Sequence, residues 1–339
     1  MIKPAPAVKV TENAHDPRFD QFFPLLRRDA FHEAGLLGAM SAHWFSLLVT
    51  DGRDALHNAV SPLPIFATRL SDVEPFLGYA GFLYTSADPA FLEPALAAYS
   101  ETCKALGIVA ELVRFDPILA NHVPLAGRYQ RLEVEIAKQV VVADCPPEES
   151  KLVERFSRGC RRDVRRGLRD FTFKPIDDIT AFRNLYEDAM RRIDLERHWF
   201  FDDRFYKQVS AEKLFAPYGV FANDRLVCAA LAIHHETASH YTLAASIPDY
   251  PIGASELLVF GIAKESARRG IRRLMLGGGH TSSPDDSLLW FKRKFARETV
   301  DFAIGKIVHD AVAYERLCTE AIRANPSLSS SPYFLRYRH

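Results

Sequence analysis

A run of three glycines between a strand and a helix is the feature that most restricts how this chain can fold. Residues 272–276 have the pattern of a short strand, and Gly277, Gly278 and Gly279 follow it directly. Because glycine has no side chain, a ligand or another backbone segment can approach the chain closely where it leaves the sheet. The pattern therefore predicts a sheet edge with an open approach.

The residues after the glycines predict a helix with a lysine on its inner face. Ser283 is expected as the N-cap, Pro284 as the first helical residue and Asp286 as the capping-box partner. Burial of an ammonium group is costly unless the group has a partner or a ligand. In the alternative arrangement the lysine stem lies along the apolar face and its charged end reaches water. Lys292 is the candidate catalytic residue because its neighbours three and four positions away are all apolar. These neighbours are Leu288, Leu289, Phe295 and Ala296.

Composition narrows the classes of protein to which the chain can belong. Its 43 basic and 43 acidic residues give a formal net charge of zero, so an anionic partner has to be held by a local patch. The sequence has no apolar run of the about 20 residues that span a membrane, and its first residues lack the apolar core of a signal peptide. The five cysteines are dispersed and have no metal-binding spacing. We expect a cytoplasmic protein with reduced thiols.

The order of the elements predicts a mixed α/β protein built from two similar halves. A helix that ends at Gly107 is followed by a strand in the first half, and a helix that ends at Gly270 is followed by a strand in the second. Two prolines at 146 and 147, followed by acidic residues, are typical of a domain boundary with a helix start. We therefore predict one domain over 1–145 and a second over 146–339.

The strongest local charge lies in a segment of arginines at helical spacing. These are Arg158, Arg161, Arg162, Arg165, Arg166 and Arg169. Guanidinium groups bind phosphate oxygens through paired hydrogen bonds, so the segment predicts a helix that binds a nucleotide diphosphate or an RNA backbone. The alternative is a solvated helix face paired with carboxylates elsewhere. Arg161, Arg162 and Arg165 are the candidate substrate-binding residues of this segment.

Other catalytic and binding motifs are missing from the sequence or incomplete. His234, His235 and His240 lie on two expected strands and the turn between them, but no nearby carboxylate or cysteine pattern supports a metal ion, and we expect none. The sequence has no GxSxG motif, and the glycine run lacks the Lys-Ser/Thr pair of a P-loop. Residues 248–255, after a strand at 239–246, also depart from the phosphate loop that an acyl-CoA transferase needs.

Six short segments, in this order and spacing, match a known family. The segments are Gly78–Gly81, 107–117 with Asn121, 156–166, His240–Leu243, Leu276–Gly279 and Asp286–Phe295. Together they resemble the Fem transferases (FemA, FemB and FemX), the GNAT-like enzymes that form peptidoglycan bridges. The resemblance covers about residues 40–320. It implies a fold of two tandem GNAT-like domains.

The resemblance also implies the reaction and its partners. A Fem transferase moves an aminoacyl group from aminoacyl-tRNA to an amine, usually on a peptidoglycan precursor, and needs no cofactor beyond this donor. The acceptor amine could therefore be nucleotide-linked, or it could belong to a small molecule. An acidic residue expected shortly after Tyr79 is not evident in this sequence, and the long coiled-coil arm of some members is missing. These departures leave the acceptor open.

The family residues map onto particular positions of this chain. Lys292 matches the family's lysine on the helix after the glycine run. Tyr79 matches its glycine-tyrosine-glycine region, and Tyr241 matches the tyrosine on the central strand of its second domain. Arg114, within the segment 107–117, and the three glycines complete the candidate substrate-binding residues. In such a reaction Lys292 would stabilise the oxyanion that forms when an amine attacks the aminoacyl ester.

Two other functions remain compatible with the sequence. The first is an N-acyltransferase that uses acyl-CoA as the donor, although the matching phosphate loop is missing. The second is a binding module that keeps the fold without its chemistry. The sequence carries no feature that selects an acceptor, an amino acid, a general base or an oligomeric state.

Overall fold

The computed structural model of the protein describes residues 6–75, 77–193, 199–281, 283, 285–296 and 298–338. The chain divides into two compact units. Unit 1 comprises Met1–Ala137 and Phe302–His339, and unit 2 comprises Lys138–Asp301. No helix among the described residues is both long enough and apolar enough to cross a membrane.

Unit 1 contains seven complete strands and four helices among its described residues. Its strands are β1 (Ala7–Glu12), β2 (Phe45–Thr50), β3 (Ala55–Val60), β4 (Leu63–Pro64), β5 (Ser71–Val73), β6 (Leu83–Tyr84) and β7 (Ile108–Arg114). Its helices are α1 (Phe19–Phe22), α2 (Ala34–Met40), α3 (Pro89–Ala105) and, near the C-terminus of the chain, α10 (Ala311–Ala324). Strand β8 (Leu132–Asp144) carries the chain into unit 2, and strand β14 (Thr299–Val308) carries it back.

The strands of unit 1 form an antiparallel group and a mixed group. β1, β2, β3 and β6 are neighbours in that order, and β4, β5, β7 and β14 are neighbours in the second group. Helix α3 has a regular N-terminal cap: the side chain of Asp88 accepts a hydrogen bond from the amide of Ala90, and Pro89 is the first helical residue. The helix ends before Gly107, whose φ of +77° is the left-handed conformation that favours glycine.

The elements of unit 2 follow the order that the sequence predicts. Its remaining strands are β9 (Thr172–Pro175), β10 (Phe215–Ala222), β11 (Arg225–His234), β12 (Ser239–Ser246) and β13 (Arg273–Gly277). Its helices are α4 (Glu149–Glu154), α5 (Arg158–Asp170), α6 (Ile179–Arg192), α7 (Asp203–Ala211), α8 (Ala254–Arg268) and α9 (Ser287–Arg293). The strand order is β9, β10, β11, β12, β13 and β8.

One parallel pair in unit 2 creates an opening in the sheet. β12 pairs with β13 only through Ser239 with Leu274 and His240 with Met275, whereas β11 pairs with β12 along most of its length. Beyond these two pairs, the described residues of β12 and β13 make no further ladder contacts. The two strands therefore diverge at Tyr241, next to the point where β13 reaches the glycine run.

The predicted domain boundary needs correction at the C-terminal end. The sequence placed residues 146–339 in one domain, but the chain from Phe302 onward belongs to unit 1. The physical reason is that β14 is hydrogen-bonded to β7, with Gly305 opposite Val113, and that Ala313 and Leu317 of α10 share a core with strand β7. A long-range strand pair of this kind has no local sequence signal.

Helices α5 and α8 approach each other through two glycines. A Cβ atom on Gly167 would lie 2.5 Å from the carbonyl oxygen of Gly253 and 2.8 Å from Cβ of Leu257. Gly253, with φ of +95°, is the residue before α8, and its own Cβ would lie 2.6 Å from the carbonyl oxygen of Asp163. The backbone of α5 therefore packs closely beside the start of α8.

We predict that Gly167→Ala lowers the free energy of unfolding by about 1–3 kcal/mol, because the new methyl group meets backbone that has no room to move. Gly159→Ala on the same helix is the matched control, since nothing lies within 4 Å of its Cβ. Urea unfolding followed by circular dichroism measures both. Equal midpoints for the two variants would show that the helices do not need this contact.

Candidate active site

Lys292 lies on the inward face of α9 and is bound to the glycine run. Its Nζ donates a hydrogen bond of 2.7 Å to the carbonyl oxygen of Gly278. The lysine is half-buried, and its helical neighbours Leu289 and Phe295 are 4% and 1% exposed. The inward orientation follows from the helical spacing that singles out this lysine in the sequence. The ammonium group is therefore held at the end of β13, beside the glycine run.

The start of α9 differs from the prediction. Asp286, not Ser283, is the N-cap, and its Oδ1 accepts from the amides of Leu288 and Leu289 at 2.9 and 3.0 Å. Ser283 instead accepts from the amide of Asp285. Pro284, expected as the first helical residue, lies outside the described residues. The cap falls at Asp286 because its carboxylate reaches both free amides of the first turn.

The same carboxylate also organises the glycine loop. Oδ2 of Asp286 accepts from the amide and the hydroxyl of Thr281 at 2.9 and 3.1 Å. A Cβ on Gly279 would lie only 2.3 Å from Oδ1 of Asp286, so glycine is required there for this arrangement. These hydrogen bonds to amide and hydroxyl donors hold the pKa of Asp286 well below its usual range.

A second lysine completes this group, and no local sequence pattern points to it. Nζ of Lys138, on β8, donates a hydrogen bond of 3.0 Å to the carbonyl oxygen of Gly279. Lys138 is far from the glycine run along the chain, and a lysine in a long strand is an ordinary surface residue by pattern alone. Only the pairing of β8 with β13 brings it to the site.

The environment makes Lys292 unusually easy to deprotonate. Burial of its ammonium group, with repulsion from Lys138 as a further cause, lowers the pKa of Lys292 to about 8. The carboxylate of Asp286 acts in the opposite direction and favours the charged form. At pH 7 the group is mostly protonated, yet its neutral form is also accessible. A buried lysine whose pKa is lowered by its surroundings is typical of a functional site.

Two further candidates lie on the strands that meet at this point. Gly277 has φ of +75° and pairs with Val141 of β8, so it belongs to the sheet and not to the loop. Tyr241 follows the last β12–β13 pair and packs beside the core of unit 2. Burial raises the pKa of its phenol well above the usual value, with Cys228 as a smaller contributor. The structure therefore groups Lys292, Lys138 and the glycines, with Tyr241 on the adjacent strand.

The arginine segment forms α5, as predicted, but its arginines differ in their surroundings. Arg162 pairs with Asp163, and both Arg166 and Arg169 pair with Asp170. The guanidinium groups of these three arginines are therefore paired with carboxylates on their own helix.

The other arginines of α5 leave their charges available. Within the described ranges, Arg158, Arg161 and Arg165 have no carboxylate at ion-pair distance, and Arg161 and Arg165 line a groove against α4. Helix α5 starts beside the end of α9, because the amide of Ser157 donates to the carbonyl oxygen of Lys294 at 2.8 Å. Arg161 and Arg165 are therefore better candidates for phosphate contacts than Arg162.

Tyr79 and Arg114 are brought together in unit 1. Nε of Arg114 donates a hydrogen bond of 2.9 Å to the carbonyl oxygen of Gly78. Its guanidinium group lies over the rings of Tyr79 and Phe302, at 5.7 and 4.9 Å from their centroids. Burial lowers the pKa of Arg114 from its ordinary value. In this arrangement Arg114 supports the backbone next to Tyr79.

His234, His235 and His240 were considered as metal ligands in the sequence. In the described part of the chain they do not form a group with metal-ligand spacing. His234 instead contacts Ser239 at 2.8 Å and Tyr218 at 3.2 Å, and burial lowers its pKa to about 4.

The group with suitable metal-ligand spacing among the described residues is Cys103, Glu111 and His309, buried in unit 1. Its carboxylate already accepts from Asn58 and Tyr99, each at 2.7 Å, so ordinary hydrogen bonds satisfy it.

Comparisons with known proteins identify the fold. Residues 154–287, all within unit 2, match the model of an acetyltransferase (GNAT) domain. The chain is similar to the crystal structure of FemX, with a TM-score of 0.58 and 13% sequence identity over 80% of this chain and 90% of that chain. No curated protein matches the chain. Residues 154–287 of unit 2 therefore have a GNAT-like fold.

Two further solved structures support the arrangement of the whole chain. The C-terminal domain of a putative lysylphosphatidylglycerol synthetase from Agrobacterium fabrum has a TM-score of 0.57 at 15% identity, and the similarity covers 90% of this chain and 95% of that one. A tandem GNAT protein from the clavulanic acid biosynthesis pathway has a TM-score of 0.51 at 9% identity, covering 89% and 99%. The predicted fold, α/β with two tandem GNAT-like domains, is confirmed.

We predict that Asp286→Ala loosens the glycine loop and the start of α9 without unfolding unit 2. The amides of Leu288 and Leu289 should exchange with solvent about tenfold faster, the usual scale for losing an N-cap side chain. Asp285→Ala is the control, because the side chain of Asp285 has no part in the cap. Hydrogen exchange followed by NMR measures both, and unchanged exchange in Asp286→Ala would show that the cap does not hold the loop.

Proposed function

We propose that the protein transfers an aminoacyl group from aminoacyl-tRNA to an amine and so forms an amide bond. The observation that carries the proposal is the Lys292 ammonium group, fixed on the carbonyl oxygen of Gly278 beside the point where β12 and β13 diverge, in a unit that carries a GNAT-like domain. The segments shared with the Fem transferases and the structural similarity to FemX favour an aminoacyl group as the cargo. The name of the similar lysylphosphatidylglycerol synthetase also refers to a lysyl group.

The chemistry requires little beyond positioning and one cation. An aminoacyl ester is already activated, so the acceptor amine can attack its carbonyl carbon directly. Negative charge then develops on the carbonyl oxygen, and a donor fixed in advance stabilises it most in the transition state. Lys292 supplies that donor, because its ammonium group is anchored but still has two N–H groups that do not bind Gly278. The 3′ oxygen of the tRNA ribose leaves when the intermediate collapses.

Features of unit 2 disfavour acyl-CoA as the donor. A pyrophosphate group is bound most readily at a helix N-terminus, where free amides and the helix dipole attract it. Helix α5 packs against Gly253, the residue before α8, since a Cβ there would lie 2.6 Å from the carbonyl oxygen of Asp163. Its first turn also carries the buried carboxylate of Glu256, which pairs with Lys294 at 3.2 Å. A second anion is therefore unfavourable at this position.

We predict that Lys292→Met lowers kcat by about 10², the usual loss for one transition-state donor, while KM changes less. The fold should persist, because methionine keeps the apolar stem and removes a half-buried charge. Lys264→Met is the matched control: this lysine of α8 is 58% exposed and pairs with Glu149 on the surface. Steady-state transfer from charged tRNA measures both variants. A folded Lys292→Met protein with near-normal turnover would place the catalytic group elsewhere and leave Lys292 a structural role.

We also infer that α5 binds the phosphates of the RNA donor through Arg161 and Arg165. Replacing both with Glu should weaken tRNA binding and reduce its dependence on salt between about 50 and 200 mM, with a slope smaller by about 2. Arg316→Glu, an exposed arginine of α10 in unit 1, is the control for the change of charge. Filter binding over the salt series measures the slope. Equal affinities and slopes for wild type and the double variant would identify α5 as an ordinary solvated face.

A further inference from the structure

Two ammonium groups are bound to consecutive carbonyl groups of the glycine run. Lys292 of α9 donates to the carbonyl oxygen of Gly278 at 2.7 Å, and Lys138 of β8 donates to that of Gly279 at 3.0 Å. Both lysines belong to unit 2. Because they come from different elements, the fold and not the local sequence brings the like charges together.

The packing around the glycines keeps the second lysine in place. A Cβ on Gly278 would lie 3.1 Å from the carbonyl oxygen of Gln139 and 3.2 Å from Cε of Lys138, so the stem of Lys138 lies against the bare backbone. A larger residue at 278 would force this stem away. The glycine at 278 therefore leaves room for β8 to bring a cation to the loop.

Two charged side chains face Lys292, one from β8 and one from the start of its own helix, α9. Lys138 approaches from β8 and disfavours a positive charge on Lys292, and Asp286 at the start of α9 favours one. The carboxylate of Asp286 is already shared among the amides of Thr281, Leu288 and Leu289. It therefore offsets the repulsion only in part, and the pKa of Lys292 falls to about 8, with burial as the largest cause.

We propose that Lys292 is the general base for the acceptor amine and that Lys138 is the positioning residue that keeps Lys292 able to take the proton. This inference rests on the proposed aminoacyl transfer and adds the base that the reaction lacks. An acceptor amine is mostly protonated near pH 7, and an ammonium nitrogen has no lone pair with which to attack. A neutral lysine next to the reaction centre removes that obstacle.

The proton balance closes without a further reactant. Neutral Nζ of Lys292 takes one proton from the acceptor ammonium group and becomes the cation that stabilises the oxyanion. The freed amine forms the new C–N bond, and the ester C–O bond to the ribose 3′ oxygen breaks with its electron pair on that oxygen. The attacking nitrogen gives its surplus proton to the 3′ oxygen, and Lys292 returns the first proton to water. One residue thereby acts first as base and then as the oxyanion donor.

The coupling between the two lysines can be measured in the free protein, without any substrate. Carbon-13 NMR of protein labelled at the lysine ε-carbons gives the titration of Lys292, assigned by the signal that Lys292→Met lacks. We expect a midpoint near 8 in the wild type, a midpoint higher by about one pH unit in Lys138→Met, and no change in Lys138→Arg, which keeps the charge. Lys264→Met is the control and should leave the midpoint in place. An ordinary lysine titration in the wild type, or the same midpoint in Lys138→Met, overturns the proposal.

The role as a base is tested by the pH dependence of transfer with the same variants. The rising limb of kcat should move to higher pH in Lys138→Met, because less Lys292 is neutral at a given pH, and Lys138→Arg should restore it. If the rising limb of kcat stays in place while the NMR midpoint moves, Lys292 is not the general base, although the coupling between the two lysines stands. A protein that shows the NMR shift but transfers nothing from charged tRNA would overturn the proposed function and the base role, and leave the coupling of the lysines standing.

Discussion

The hydrogen bond from Nζ of Lys292 to the carbonyl oxygen of Gly278 is the interaction on which the candidate site depends. It exists because a lysine occupies the inward face of α9, where burial would otherwise leave its charge unpaired. The acceptor is a backbone carbonyl and not a carboxylate, so the charge is held in place without being neutralised. A cation in this condition can still interact with a substrate that develops negative charge.

The surrounding elements serve to make that contact possible. The divergence of β12 and β13 opens the sheet where β13 ends, and the glycines leave room there for Lys138 and Asp286 to approach the backbone. Asp286 fixes the loop and the start of α9 with one carboxylate. Across unit 2, the contact between Gly167 and Gly253 brings α5 beside the start of α8.

Local patterns predicted much of this arrangement, and long-range pairing accounts for what they missed. The strand at 239–246 was predicted with its observed bounds. Helical spacing also predicted that Lys292 lies on the inward face of its helix. Ser283 was the wrong N-cap, because cap preference alone does not distinguish a serine from an aspartate three residues later. The site lysine of β8, Lys138, could not be predicted, since only the pairing of β8 with β13 brings it to the loop. The return of Phe302 and later residues to unit 1 was missed for the same physical reason.

The most direct test of the central claim is the identity of the donor. The protein is incubated with candidate amines and either charged total tRNA or acyl-CoA, and the products are followed by mass spectrometry. We expect an amide that carries an aminoacyl group, requires charged tRNA and disappears when the tRNA is digested with RNase beforehand. Transfer that is insensitive to RNase, or that proceeds from acyl-CoA alone, would contradict this claim.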